Sequence, residues 1–231
     1  MLLLFDIDGT LLLKASKEHA EALYAALRRV HGIEIPDGRV EAAGRTDLAI
    51  ARTILTRAGV SAERIDDRAG DVRAATAQEY AKRCPVDFSD HLAPLVPKVL
   101  DELSARNGYR LALVTGNLEP VARLKVDRAG IGHHFVKGQG AYGSDNEDRT
   151  QLPSLARARA GARGAPYPRA ETIVIGDTPR DIACAHADGV AVIAVATGPF
   201  RASELQHADA VCGNMGQLPA ALDALGAAAT P

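Results

Sequence analysis

The sequence predicts an α/β protein: a doubly wound parallel sheet of Rossmann-like type, interrupted by an all-helical insertion. Three observations predict it. Four short aliphatic runs, LLLFDI (2–7), LALVT (111–115), TIVIG (172–176) and VAVIAVAT (190–197), have the continuous hydrophobicity of strands buried on both faces. Between the later runs, apolar residues recur at helical spacing, as at Val99, Leu100 and Leu103, at Val121, Leu124 and Val126, and at Leu152, Leu155 and Ala156. The stretch from 15 to 91 contains no strand-like run and is rich in Ala, Arg and Glu.

Taken in order, the first run ends in two acids and a glycine, Asp6, Asp8 and Gly9, which together mark an abrupt exit from a strand. Ala20, Leu23, Leu27 and Val30 then form one helical stripe, and Ile50, Ile54 and Leu55 begin another. SAERIDDRAGDVRAATAQEYAKR reads as one long exposed helix. Pro85, Pro94 and Pro97 punctuate the return to the sheet. Strand and helix alternate from there on, with His134-Phe135-Val136 a candidate extra strand, Ala210-Val211-Cys212 a weak edge strand and the tail ALGAAATP expected to fray. The expected division is a catalytic core of 1–14 and 92–231 with a helical cap of 15–91.

Composition narrows the function. A chain of 231 residues with a net charge of −2 can bury a proper core, and it has no basic excess to attract nucleic acid. No apolar stretch approaches the roughly 18 residues of a membrane helix, and Asp6 and Asp8 break the apolar N-terminus, so a cytoplasmic protein is expected. Cys84, Cys184 and Cys212 are odd in number and far apart, which fits small buried side chains or free thiols. The expected partner is a small molecule, and the oligomeric state, monomer or homodimer, stays open.

Acids gather at the predicted strand ends. Asp177 follows the third run, and Asp181 lies four residues later in the first turn of a helix. If that strand neighbours the first, Asp6, Asp8, Asp177 and Asp181 meet at the edge where doubly wound sheets bind ligands. Like charges so close are costly unless a cation neutralises them, and an all-oxygen set suits Mg2+ better than zinc. Taken singly, Asp181 reads as an N-terminal capping residue. Thr115-Gly116-Asn117, before a helix from about Leu118, offers a hydroxyl, a glycine amide and a helix N-terminus to a phosphate, although the same residues also suit an ordinary helix cap.

FDIDGTL (5–11), the run ending in Thr115-Gly116-Asn117, and GDTPRDI (176–182) together resemble the haloacid dehalogenase superfamily, and within it the phosphoglycolate-phosphatase-like enzymes with a helical cap. That resemblance implies Mg2+-dependent hydrolysis of a small phosphorylated metabolite through an aspartyl-phosphate. Asp6 would be the nucleophile and Asp8 the proton donor and acceptor. The resemblance also implies a metal held by the Asp6 carboxylate, the Asp8 carbonyl and Asp177, with Asp181 in support, and phosphoryl oxygens held by Thr115 and Gly116.

The chain departs from the family in one place, since the Lys-Pro usual between the second and last motifs is missing. Arg149 is the favoured substitute and Lys137 its competitor, while Arg157 and Arg159 read as solvated helix residues and Lys125 as a surface residue. AGRTDLAI (43–50) is similar to a cap segment that approaches the active site in relatives, which makes Arg45 a candidate contact for substrate. Thr46 reads as a helix cap with Asp47 in the first turn, and His133 and His134 read as ordinary loop and strand residues. A sugar-phosphate mutase would use the same acids, and a binding protein that had lost the chemistry would keep the same fold. A dehalogenase would not need Asp8, and a phosphonatase would need a cap lysine, for which Lys14, Lys17 and Lys82 are the only candidates.

Overall fold

The computed structural model describes every residue except 39, 163 and 229–231, so the last residues of the ALGAAATP tail lie outside the described residues. Among the described residues, six strands form one sheet with every pairing parallel: β1 (Leu2–Phe5), β2 (Arg110–Thr115), β3 (Ala141–Tyr142), β4 (Thr172–Gly176), β5 (Ala191–Val195) and β6 (Ala210–Cys212). Their order is β3-β2-β1-β4-β5-β6. The chain therefore winds outward in both directions from the β1/β4 pair, and ligands of such sheets bind beyond the carboxyl end at that switch point. Phe5 pairs with Leu113 on one side and Ile175 on the other, and the Asp6 N–H continues the ladder to the Ile175 carbonyl at 2.9 Å.

Period-two alternation sends the strand residues into two cores. Leu3, Phe5, Leu113 and Ile175 face α5 (Val96–Ala105), α6 (Glu119–Arg128) and α9 (Leu218–Ala228). Leu2, Leu4, Val114 and Val174 face α7 (Leu152–Ala160) and α8 (Pro179–Asp188). Among the described residues, four helices make up the insertion that follows β1: α1 (Lys17–His31), α2 (Asp47–Arg57), α3 (Ala62–Asp67) and α4 (Ala69–Arg83). They enclose a third core of Leu23, Leu27, Ala51, Ile54, Leu55, Ile65 and Val72, so the insertion has an interior of its own.

Three expectations are corrected. The long helix over 61–83 breaks at Arg68, next to Gly70, whose low helix propensity weakens the turn. The second half is also not an exposed helix, because Val72, Ala75, Thr76 and Tyr80 are buried. His134-Phe135-Val136 is not a strand: residues 132–134 form a 3-10 turn, Phe135 packs edge-on against Phe5, and Val136 is exposed. The strand comes later, at β3, where Gly140 at φ 83° brings the chain onto the Leu113 backbone so closely that a Cβ would overlap it. Among the described helices none is long and apolar enough to cross a membrane, and all three cysteines are free, with Cys184 and Cys212 buried.

Candidate active site

The carboxyl ends of β1, β2 and β4 open into a cavity of about 530 Å³, a size suited to a small metabolite. Asp6, Asp8, Gly116, Asn117, Arg149 and Asp177 line its floor. Its mouth is made by the start of the insertion and by the 42–47 segment, with His19, Arg45 and Asp47 among the lining residues.

Asp6, Asp177 and Asp181 are buried with carboxylate oxygens close enough to share one cation. Asp177 carries the most telling geometry. Its Oδ1 accepts from the Thr10 hydroxyl at 2.9 Å, whereas its buried Oδ2 has no hydrogen-bond partner. Gly9, at φ 96°, and Gly198 pack against this carboxylate so tightly that a Cβ on either would overlap it. Burial, with the charges of Asp181 and Asp6 added, pushes Asp177 up to about 8. Burial likewise pushes Asp6 up to about 6, against the pull of Arg149. A buried acid with an orphaned oxygen, beside two further acids, makes a set of hard donors whose negative charge the single Arg149 guanidinium does not balance, and a divalent cation fits it.

Asp181 is more committed. Thr178 caps α8 and forms a capping box with Asp181, whose Oδ2 accepts from the Thr178 N–H at 2.9 Å and the Thr178 hydroxyl at 2.7 Å, while Oδ1 is bonded by Arg149. The capping reading and the cluster reading of Asp181 therefore describe one side chain. Arg149 sits in the 3-10 turn before α7, and its guanidinium lies 3.1 Å from the Asp6 carboxylate while bonding Asp181. The competitor Lys137 is exposed and does not line the cavity.

At the end of β2, Gly116 and Asn117 reach the cavity, but Thr115 does not. Its hydroxyl is fully buried and accepts from the Asn117 side-chain amide at 3.1 Å. That amide also donates to Asp8 Oδ2 at 2.8 Å. Gly116 is a steric requirement, because a Cβ there would overlap the Arg45 carbonyl of the insertion. Arg45 lines the cavity, with its guanidinium tied to the Ala49 carbonyl at 2.9 Å and the Thr53 hydroxyl at 2.8 Å. Thr46 caps α2 by accepting from the Ala49 N–H at 3.2 Å, as expected. Asp47 does more than favour the first turn: it is buried, accepts from the Leu118 N–H at 2.8 Å, and its own N–H donates to the Gly116 carbonyl.

Two charged residues are corrected. Lys125 is not on the surface. It is fully buried, and its ammonium donates to both Asp8 oxygens at 2.7 Å. Burial pushes the Asp8 carboxyl up, but Lys125, His19 and Asn117 outweigh it and hold Asp8 below the usual carboxylate range. Arg157 is not solvated either, since it forms a buried two-pronged pair with Asp188 at 2.7 and 2.8 Å; Arg159 stays near the surface, paired with Asp145. The missed signal was periodicity. Lys125 follows Val121 by four and Ala122 by three, on the apolar stripe of α6, and His19 precedes Ala22 and Leu23 by three and four on α1. His133 and His134 lie with Asp101 beside the start of β2, at the opposite end of that strand from Thr115.

A family profile described as haloacid dehalogenase-like hydrolase matches residues 3–186. A comparison with curated proteins finds no match. Solved structures share the fold. A Bacteroides vulgatus protein assigned by inference as a beta-phosphoglucomutase is 23% identical with a TM-score of 0.69, the alignment covering 100% of this chain and 90% of that one. A predicted phosphoglycolate phosphatase from Haemophilus somnus 129pt is 22% identical with a TM-score of 0.67, covering 96% and 97%. CbbY from Rhodobacter sphaeroides, solved in complex with phosphate, is 18% identical with a TM-score of 0.64, covering 94% and 95%.

Proposed function

The chain belongs to the haloacid dehalogenase-like hydrolases, and from that premise we propose that it is a Mg2+-dependent phosphatase hydrolysing a small phosphorylated metabolite through an aspartyl-phosphate. The observation that carries this reading is the buried trio Asp6, Asp177 and Asp181, with its orphaned oxygen, of which Asp6 and Asp177 line the cavity beside Asp8. The Asp6 carboxylate, the Asp8 carbonyl and Asp177 would hold the ion, and Asp181 would back them while anchoring Arg149. When bound, Mg2+ screens the charge of the phosphate from the carboxylates.

Asp6 attacks phosphorus, forming the O–P bond as the alkoxide leaves with a proton from Asp8. Asp8 then takes a proton from the water that cleaves the aspartyl-phosphate. The free enzyme holds Asp8 ionised, and the entering phosphate adds negative charge beside it, which raises its proton affinity and loads it for the first step. Arg149, beside Asp6, supplies the cation that the family places on a lysine. Gly116 and Asn117 hold phosphoryl oxygens, and Thr115 acts by orienting Asn117. The inserted helices, residues 15–91, act as a cap that excludes water, and Arg45 on its inner face contacts substrate. The phosphatase and phosphate-complex neighbours support the substrate class.

The test is free-phosphate release from para-nitrophenyl phosphate with and without Mg2+. Wild type should turn over only with the cation, and Asp6→Asn should lose at least about 10³-fold, as for removal of a nucleophile. No release by wild type, or equal rates for Asp6→Asn, refutes the proposal. With a hexose phosphate as the substrate instead, an isomerised sugar phosphate without free phosphate would indicate a mutase.

A further inference from the structure

A fully buried lysine needs a reason, because an ammonium withdrawn from water is costly where methionine would pack as well. Lys125 stands on the core helix α6, yet its buried ammonium meets groups from both the end of β1 and the inserted helices. It donates to both oxygens of Asp8 at 2.7 Å and lies 3.3 Å from His19 Nδ1. The other ring nitrogen, His19 Nε2, is 2.9 Å from Asp47 Oδ2. That same oxygen accepts from the Leu118 N–H at the start of α6, so the chain of contacts closes on the helix from which it began. The Tyr80 ring packs edge-on against His19, with centroids 5.5 Å apart. His19 and Asp47 belong to the inserted helices α1 and α2, whereas Lys125 and Asp8 belong to the core.

This arrangement restricts Asp8 strongly. Its side chain leaves the end of β1 facing an open cavity, where it would otherwise sample several rotamers. Lys125 engages both oxygens and Asn117 engages one again, so a single orientation is selected. The position of Lys125 depends in turn on His19 and Asp47, that is, on the insertion being packed against the sheet edge.

Resting on the phosphatase reading, we propose that Lys125 is a positioning residue that holds the Asp8 carboxylate for proton transfer to the leaving group, and that His19 and Asp47 of the inserted helices complete its seat.

The experiment measures kcat/KM with Mg2+ for a series of phosphate monoesters running from nitrophenyl to alkyl leaving groups. A nitrophenolate leaves without protonation, whereas an alkoxide requires it, so the series isolates the acid. Lys125→Met should lose about 10²-fold or more on alkyl esters, the scale of a general acid, and stay within about 3-fold of wild type on nitrophenyl phosphate. Asp47→Asn, which touches no reacting atom, should show the same selective loss at smaller amplitude. If Lys125→Met does not melt cooperatively, Asp47→Asn alone decides. A loss equal across all esters, as from general structural damage, overturns the proposal, as does an unchanged rate on alkyl esters. Failure of wild type to release phosphate from any ester is a different result, which removes the underlying reading.

Discussion

Substituting Asp177 with Asn should stabilise the cation-free protein at alkaline pH and remove its response to Mg2+. Asp177 has no exposed surface, and burial together with Asp181 and Asp6 pushes it from its ordinary value of 3.8 up to about 8. A group whose folded value is raised contributes full stability below about pH 4, where both states hold the proton, and loses it as the pH rises towards 8. Four powers of ten in proton affinity correspond to on the order of 5 kcal/mol. Burial is the largest cause, and Asp177 titrates together with its acidic neighbours, so one substitution recovers only part of this, roughly 2–3 kcal/mol, or a rise in Tm of about 5–10 °C for a chain of this size. Asparagine keeps the acceptor for the Thr10 hydroxyl, so the neighbouring hydrogen bond is retained. The assay is thermal unfolding in EDTA at pH 5 and pH 8.5, repeated with Mg2+ at pH 8.5. Asp177→Asn should exceed wild type by a clearly larger margin at pH 8.5 than at pH 5, and Mg2+ should raise Tm in wild type alone. Equal differences at the two pH values, or equal stabilisation of both proteins by Mg2+, would refute the reasoning.

Arg149→Met should lower kcat/KM by at least about 10²-fold and cost about 3–5 kcal/mol, because it strips the cation from two buried carboxylates, while Arg149→Lys should retain much of both. Steady-state kinetics and denaturant unfolding check this, and turnover of the Met variant within about 3-fold of wild type would remove the assignment. Gly198→Ala places a Cβ against the Asp177 carboxylate and should weaken Mg2+ binding at least about 10-fold in a calorimetric titration.

What could be read from the sequence, and what could not, separates by the range of the interaction. TIVIG predicted β4 residue for residue, because a strand covered on both faces leaves a continuous aliphatic run that needs no knowledge of its neighbours. The edge strand β3 left no such trace: two residues, set by a glycine that fits against Leu113, are too few to form a pattern. The same division holds in the site. Asp6, Asp8, Asp177 and Asp181 were legible because each closes a recognisable strand or opens a helix, and Arg149 because it precedes one. Lys125 was not, since its flanking Arg123 and Asp127 make VARLKVDR read as a solvated surface, and the partner that justifies its burial lies 117 residues away. Yet the position was marked. A charged residue on the apolar stripe of an otherwise amphipathic helix must either break the helix's packing or find an opposite charge beneath it, and in a chain with unpaired acids at the next strand end the second outcome is the one physical chemistry favours. Had stripe membership been weighed above local composition, Lys125 and His19 would have been drawn into the site together, because each occupies the buried face of its own helix and neither has an apolar reason to be there.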